Sequence, residues 1–167
     1  MSRLDSFVDR LLIQRLLLDR ACRELNEAGE LLPGPVIELG LGNGRTYHHL
    51  REKLERRRVI VFDRELSAHP ASHPPAEDLV LGDIGQTGIA HAAQRGATAV
   101  MLHADLGNGI KADDLKLQAW LPRVVHALVR PGGQIITSTE LHHPGLRPEP
   151  LPENAPRYDY FVYRRVG

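Results

Sequence analysis

A glutamate followed by glycines at every second position, Glu38 and then Gly40, Gly42 and Gly44 in VIELGLGNGRT, has the makings of a ligand loop. Glycine is favoured where the backbone must turn sharply or let another group approach, and is costly elsewhere, so three in five residues need a reason. Two more carboxylates close short apolar runs: Asp63 follows VIVF, and Asp83 follows LVLG. A further run, AVMLHA at 99–104, contains His103 and leads into Asp105. Carboxylates so placed can accept hydrogen bonds from hydroxyls and amines, and Asp105 or His103 could orient or deprotonate a reacting group. Each also has a structural use. A strand-end carboxylate can cap the next helix, a histidine in an apolar run is commonly a hydrogen-bonded core residue, and Asp105 can begin a turn with Gly107 and Asn108.

For these groups to meet, the elements that carry them must lie side by side. VIEL at 36–39, VIVF at 59–62, LVLG at 79–82, AVMLHA and QIITST at 134–139 are short, mostly aliphatic or β-branched, and bounded by turn residues. Unbroken apolar runs alternating with helical patterns predict an α/β chain with a doubly wound, mostly parallel sheet and helices on both faces. The first helix of that core spans 45–57, where Glu52 and Arg56 form an i,i+4 pair and ERRR is a solvated end suited to the negative pole of the helix dipole. A second runs over about 86–95, closed by Gly96, and a third region over about 112–129 is split or restarted by Pro122. The alternating aromatics of RYDYFVYRR, 157–165, predict an antiparallel C-terminal strand at or near a sheet edge. SAHPASHPPAED at 67–78 and HHPGLRPEPLPENAP at 142–156 are too proline-rich for helices and read as lids, substrate loops or plain surface loops.

Ahead of the sheet, residues 2–28 predict an extra N-terminal amphipathic helix, with Ser2 and Asp5 spaced as a capping box and Gly29 placed to end it. Leu4, Leu11, Leu18 and Leu25 recur every seven residues, but the intervening heptad partners Phe7, Gln14, Ala21 and Ala28 are mixed. Packing on its own domain is therefore favoured over a coiled coil. A homo-oligomer contact through this helix is the alternative, because Phe7, Val8, Leu12, Ile13, Leu16 and Leu17 widen the apolar face. Asp9, Arg10, Gln14 and Arg15 interrupt it too often for a signal peptide or membrane span, so a cytoplasmic protein without a membrane partner is expected.

Lys plus Arg balances Asp plus Glu at 21 each, which removes the basic excess expected of a nucleic-acid binder. The single cysteine, Cys22, allows no intrachain disulfide and suits a reducing compartment. Among nine histidines only His69 and His73 have a helical metal-ligand interval, and their neighbouring prolines exclude the helix, so no metal is expected.

With ELGLGNG, VIVFDREL, LVLGDI and ALVRPGGQIITS in this order over roughly 33–140, the chain resembles the class I S-adenosyl-L-methionine-dependent methyltransferases. The resemblance implies a Rossmann-like fold and one domain over 1–167, made of the N-terminal helix (1–29), a cofactor-binding core (33–140), and a proline-rich loop with the final strand (141–167). It also implies S-adenosyl-L-methionine as cofactor. Glu38 would reach the methionine amino group directly or through water, Gly40, Gly42 and Gly44 would let that moiety lie against the backbone, Asp63 would bind the ribose hydroxyls, and Asp83 with the Ile84 amide would meet the adenine. The reaction centre would follow the fourth strand, at His103 and Asp105. A dinucleotide fingerprint needs a third glycine where Arg45 stands, which argues against a nicotinamide-dependent oxidoreductase, although Asp63 has the spacing of one. A noncatalytic cofactor-binding scaffold is the other alternative. ADLGN lacks the Pro-Pro-aromatic signature of amino-group methylation on adenine or glutamine, and Cys22 has no preceding proline as cytosine-ring enzymes require, so the acceptor is expected to be a small molecule. One strand after the fifth, where the family has two, predicts a sheet one strand short.

Overall fold

Apolar runs without an interposed polar position bury both of their faces, and in the computed structural model, which describes residues 2–54, 56–107 and 111–167, they form the centre of a single sheet. Its strands are β1 (Val36–Leu39), β2 (Val59–Asp63), β3 (Leu79–Leu81), β4 (Ala99–Ala104), β5 (Val129–Thr137), β6 (Leu146–Glu149) and β7 (Phe161–Arg165), in the order β3-β2-β1-β4-β5-β7-β6. The first five are parallel, β7 runs antiparallel to β5, and β6 antiparallel to β7. The chain therefore leaves β1 in one direction through β2 and β3 and returns to its other side at β4, which makes the β1/β4 boundary the switch point where open α/β sheets bind ligands.

Side-chain alternation in β1 separates two cores. Val36 joins Ile13, Leu17, Leu18 and Leu25 of helix α1 (Arg3–Ala28) and Tyr47 and Leu50 of α2 (Arg45–Lys53). Ile37 and Leu39 face the other way, onto Ile84 of α3 (Ile84–Arg95) and Leu121, Val124, Val125 and Leu128 of α5 (Leu121–Leu128). A short helix, α4 (Lys111–Gln118), precedes α5, and Pro122 sits in the first turn of α5, so the expected split occurs where proline removes no helical hydrogen bond. The capping box of α1 forms, with the Ser2 hydroxyl accepting from the Asp5 amide and Asp5 accepting from the Ser2 amide. Its leucine series divides: Leu18 and Leu25 are buried, whereas Leu4 and Leu11 are exposed. Cys22 is on the buried face of this helix, and burial followed by the nearby Asp19 pushes its thiol up to about 11. Among the described residues no helix is long and apolar enough to cross a membrane.

Two expectations change. The sheet is not one strand short: β6 lies inside the proline-rich segment 142–156, and Pro148 is tolerated because an edge strand has a side that needs no ladder donor. The helix expected over 45–57 ends at Lys53, so Glu52 and Arg56 form no helical pair, and Glu55 lies outside the described residues. Arg57 is not a solvated helix end. Its guanidinium donates to the carbonyls of Leu32 and Gly34 at 2.8 Å, Gly29 at 3.2 Å and Leu25 at 3.4 Å, tying the end of α1 to the segment that enters β1. Removing it leaves carbonyls without their donor, so Arg57→Ala is expected to lower the urea-unfolding free energy by about 2–3 kcal/mol, and Arg57→Lys, which lacks the planar fork, to recover less than half of it.

Candidate active site

The glycine loop leaves β1 at the switch point, and its three glycines are needed for different reasons. All have positive φ: +84° at Gly40, +49° at Gly42 and +82° at Gly44. A Cβ on Gly40 would stand 2.5 Å from Leu106, and one on Gly44 2.4 Å from Ser72, so the first proline-rich stretch, 67–78, which reads in the sequence as a lid, substrate loop or surface loop, packs against this turn. A Cβ on Gly42 would meet nothing within 4 Å. That residue alone faces open space, as a backbone does where a ligand must lie against it.

Asp63, at the end of β2, holds the loop in place. Its Oδ2 accepts from the amides of Leu41 at 2.6 Å and Gly42 at 3.1 Å, and its Oδ1 from the Arg64 amide at 2.6 Å. Asp83 caps α3, its Oδ1 accepting from the Gln86 amide at 3.0 Å, and Ile84 is buried in the first turn of that helix.

Beneath the loop runs a chain of polar contacts. Parallel register sets Glu38 beside His103, and the Glu38 Oε2 accepts from the histidine Nδ1 at 2.9 Å, with both side chains fully buried. The other Glu38 oxygen accepts from the Thr46 hydroxyl at 2.5 Å. On its far side the His103 Nε2 meets the Tyr160 hydroxyl at 2.8 Å. The Gln14 carboxamide donates to that hydroxyl at 3.0 Å and to Asp105 Oδ2 at 2.7 Å, and Arg10 donates to the same oxygen at 2.5 Å. Asp105 Oδ1 is buried and has no hydrogen-bond partner among the described residues. Burial disfavours the charged form of His103, but the Glu38 charge and hydrogen bond, with Asp105, outweigh it and raise the imidazole above its ordinary value. Burial, then Asp105, pushes the Tyr160 phenol well up, so it stays neutral.

These elements surround a concavity of about 390 Å³, lined by the loop, Phe7, Arg10, Leu11 and Gln14 of α1, Thr46, Asp63, Asp105 and Leu106. Glu38, His103, Asp83 and Ile84 do not line it, and Asn108, the expected turn partner of Asp105, lies outside the described residues. A larger concavity of about 1220 Å³ opens among Gly34, Arg56, Arg58, His91 and Arg95. It lies at the opposite ends of the strands, away from the switch point, so the smaller one is the candidate site. Nothing in the sequence marks Tyr160, which reads there as part of an aromatic strand; Gln14, a polar residue in an apolar helical stripe, carries a signal that was open to notice. Among the described residues no three His, Cys, Asp or Glu side chains converge as they would to hold a metal ion.

A sheet of this order, with a glycine turn after its first strand and a carboxylate after its second, defines the Rossmann-like S-adenosylmethionine-dependent methyltransferases. The chain belongs to the S-adenosyl-L-methionine methyltransferase family whose model matches residues 1–165. It is similar to an S-adenosyl-L-methionine methyl transferase of Silicibacter pomeroyi DSS-3, with 41% identity, 99% of each chain covered and a TM-score of 0.89. The sugar N-methyltransferase KedS8 of Streptoalloteichus sp ATCC 53650 (13% identity, 92% of this chain and 87% of that one, TM-score 0.63) and the antibiotic-resistance methyltransferase Kmr (15%, 80% and 87%, 0.56) share the fold. Among curated proteins there is no significant sequence match. The cofactor is S-adenosyl-L-methionine, and the residues present suit it: the open side of Gly42 admits a ligand to the backbone, and Asp105 offers an unpaired acceptor.

The buried pair makes stability depend on pH. A folded pKa raised above the unfolded value contributes stability that is complete below about 6.5 and is lost as pH rises through the folded value. Glu38→Gln removes the charge that raises it. The stability advantage of the wild type over Glu38→Gln is therefore expected to be largest near pH 6 and to shrink as pH increases, measured by urea unfolding at each pH.

Proposed function

We propose that the chain transfers the methyl group of S-adenosyl-L-methionine to a small-molecule acceptor seated against Asp105. The observation that carries this reading is Asp105 Oδ1, buried without a partner among the described residues, in a residue that lines the same concavity as the glycine loop. A buried unpaired acceptor is costly, and a donor from the substrate relieves that cost. Asp105 accepts a hydrogen bond from the acceptor N–H or O–H and takes the proton where the nucleophile arrives protonated. When bound, the cofactor would supply an electrophilic methyl on a sulfonium, with the sulfur as its leaving group and the acceptor's lone pair as the nucleophile. The protein's contribution is alignment.

Gly42, with Gly40 beside it in the lining, gives the cofactor a backbone to lie on while Gly44 shapes the turn, Asp63 keeps lone pairs for the ribose hydroxyls beside those used by the loop amides, and Asp83 with the Ile84 amide would take the adenine beyond the concavity. Glu38, fully buried, acts on the methionine end through Thr46, whose hydroxyl it holds and which lines the concavity. His103 has both ring nitrogens engaged and serves as a positioning residue between Glu38 and Tyr160. A site of about 390 Å³ and a zero net charge favour a small acceptor over a nucleic acid. The exposed Leu4, Val8 and Leu12 on α1 suit a homo-oligomer contact, and the one buried cysteine suits a cytoplasmic setting.

S-adenosylmethionine and S-adenosylhomocysteine should raise the unfolding temperature while NAD does not, and Asp63→Ala should abolish the shift. In a cell extract incubated with the enzyme and cofactor labelled in the methyl group, the label should pass an ultrafilter; label retained in RNA or protein would overturn the small-molecule reading. With an acceptor in hand, Asp105→Asn should lower kcat by about 10²- to 10⁴-fold.

A further inference from the structure

The geometry points to Arg10, on the N-terminal helix, as the residue that binds the carboxylate of the cofactor's amino acid tail, so that α1 is a wall of the cofactor site and selects nucleotides carrying that tail. This rests on the assignment of the 390 Å³ concavity to S-adenosyl-L-methionine. A guanidinium has five N–H donors in a planar fork. Only the contact from one terminal nitrogen to Asp105 Oδ2 is made among the described residues, which leaves most of the fork for another acceptor. The side chain is about one-third exposed and lines the concavity with the glycine loop and Thr46. Asp105, itself held by Gln14, fixes the guanidinium in place, so little side-chain freedom remains to be lost when a ligand binds. Phe7 and Leu11, one turn of α1 apart and on either side of Arg10, line the same wall. A carboxylate accepts two parallel N–H donors from such a fork, which gives it both orientation and energy. The other cation lining the concavity, Arg45, is exposed and makes no ion pair among the described residues.

The discriminating probes are S-adenosylhomocysteine and 5′-methylthioadenosine, which shares the adenosine and the sulfur but lacks the amino acid. Titration calorimetry on the full chain should show Arg10→Gln weakening S-adenosylhomocysteine about tenfold or more while leaving methylthioadenosine unchanged, and Arg45→Gln altering neither selectively. Retained methylthioadenosine binding also shows that the variant is folded. If Arg10→Gln weakens both nucleotides alike, or neither, or if Arg45→Gln produces the selective loss, the role of Arg10 is overturned alone. If the wild type binds neither nucleotide, the assignment of the concavity fails and the role of Arg10 with it.

Discussion

The pairing of Glu38 with His103 across β1 and β4 is the contact on which the site depends. Two ionisable side chains at zero exposure persist only if each finds partners inside the protein, because a buried charge without one is expensive. Here the partners come from everywhere the site needs to be joined: Thr46 from the helix after the glycine loop, Tyr160 from the approach to the last strand, and through it Gln14 and Asp105. The network links five separate stretches of chain at the switch point of the sheet. Its polar groups are high-stakes in a low-dielectric interior, where a satisfied network rigidifies and a half-satisfied one destabilises.

The glycine loop above it is held by opposing constraints. Asp63 pulls the amides of Leu41 and Gly42 toward β2, while Ser72 and Ala68 press on Gly44 from the side. The turn is thus fixed in a left-handed conformation before any ligand arrives, which spares binding the entropy of ordering it. Asp63 holds the loop without exhausting itself, since its oxygens have more lone pairs than the loop amides occupy.

What the sequence reveals follows the range of the interactions. Strand runs, the capping box at Ser2 and Asp5, and the proline that starts α5 are local patterns, and they are legible. β6 is not: four residues around Pro148, flanked by further prolines, have too short a period to announce a strand, and they are held only by pairing with β7. Arg57 is equally opaque, because its charge suggests solvent while its acceptors come from 23 to 32 residues away. The same holds for Gln14, whose contacts span 91 and 146 residues. Arg10 and Gln14, two of the polar residues that interrupt the apolar pattern of α1, stand where that helix meets the candidate site.

The two outer strands have a consequence for how copies of this molecule meet. β3 has only three residues, and β6 carries Pro148 between Arg147 and Glu149. Neither presents a long row of unpaired amides, and charge with proline is the means by which open sheets resist growth onto a neighbouring molecule. The edges of a seven-stranded sheet are thereby blunted without its being rolled into a barrel, and at the β6 edge this is the work of the very segment whose prolines conceal a strand.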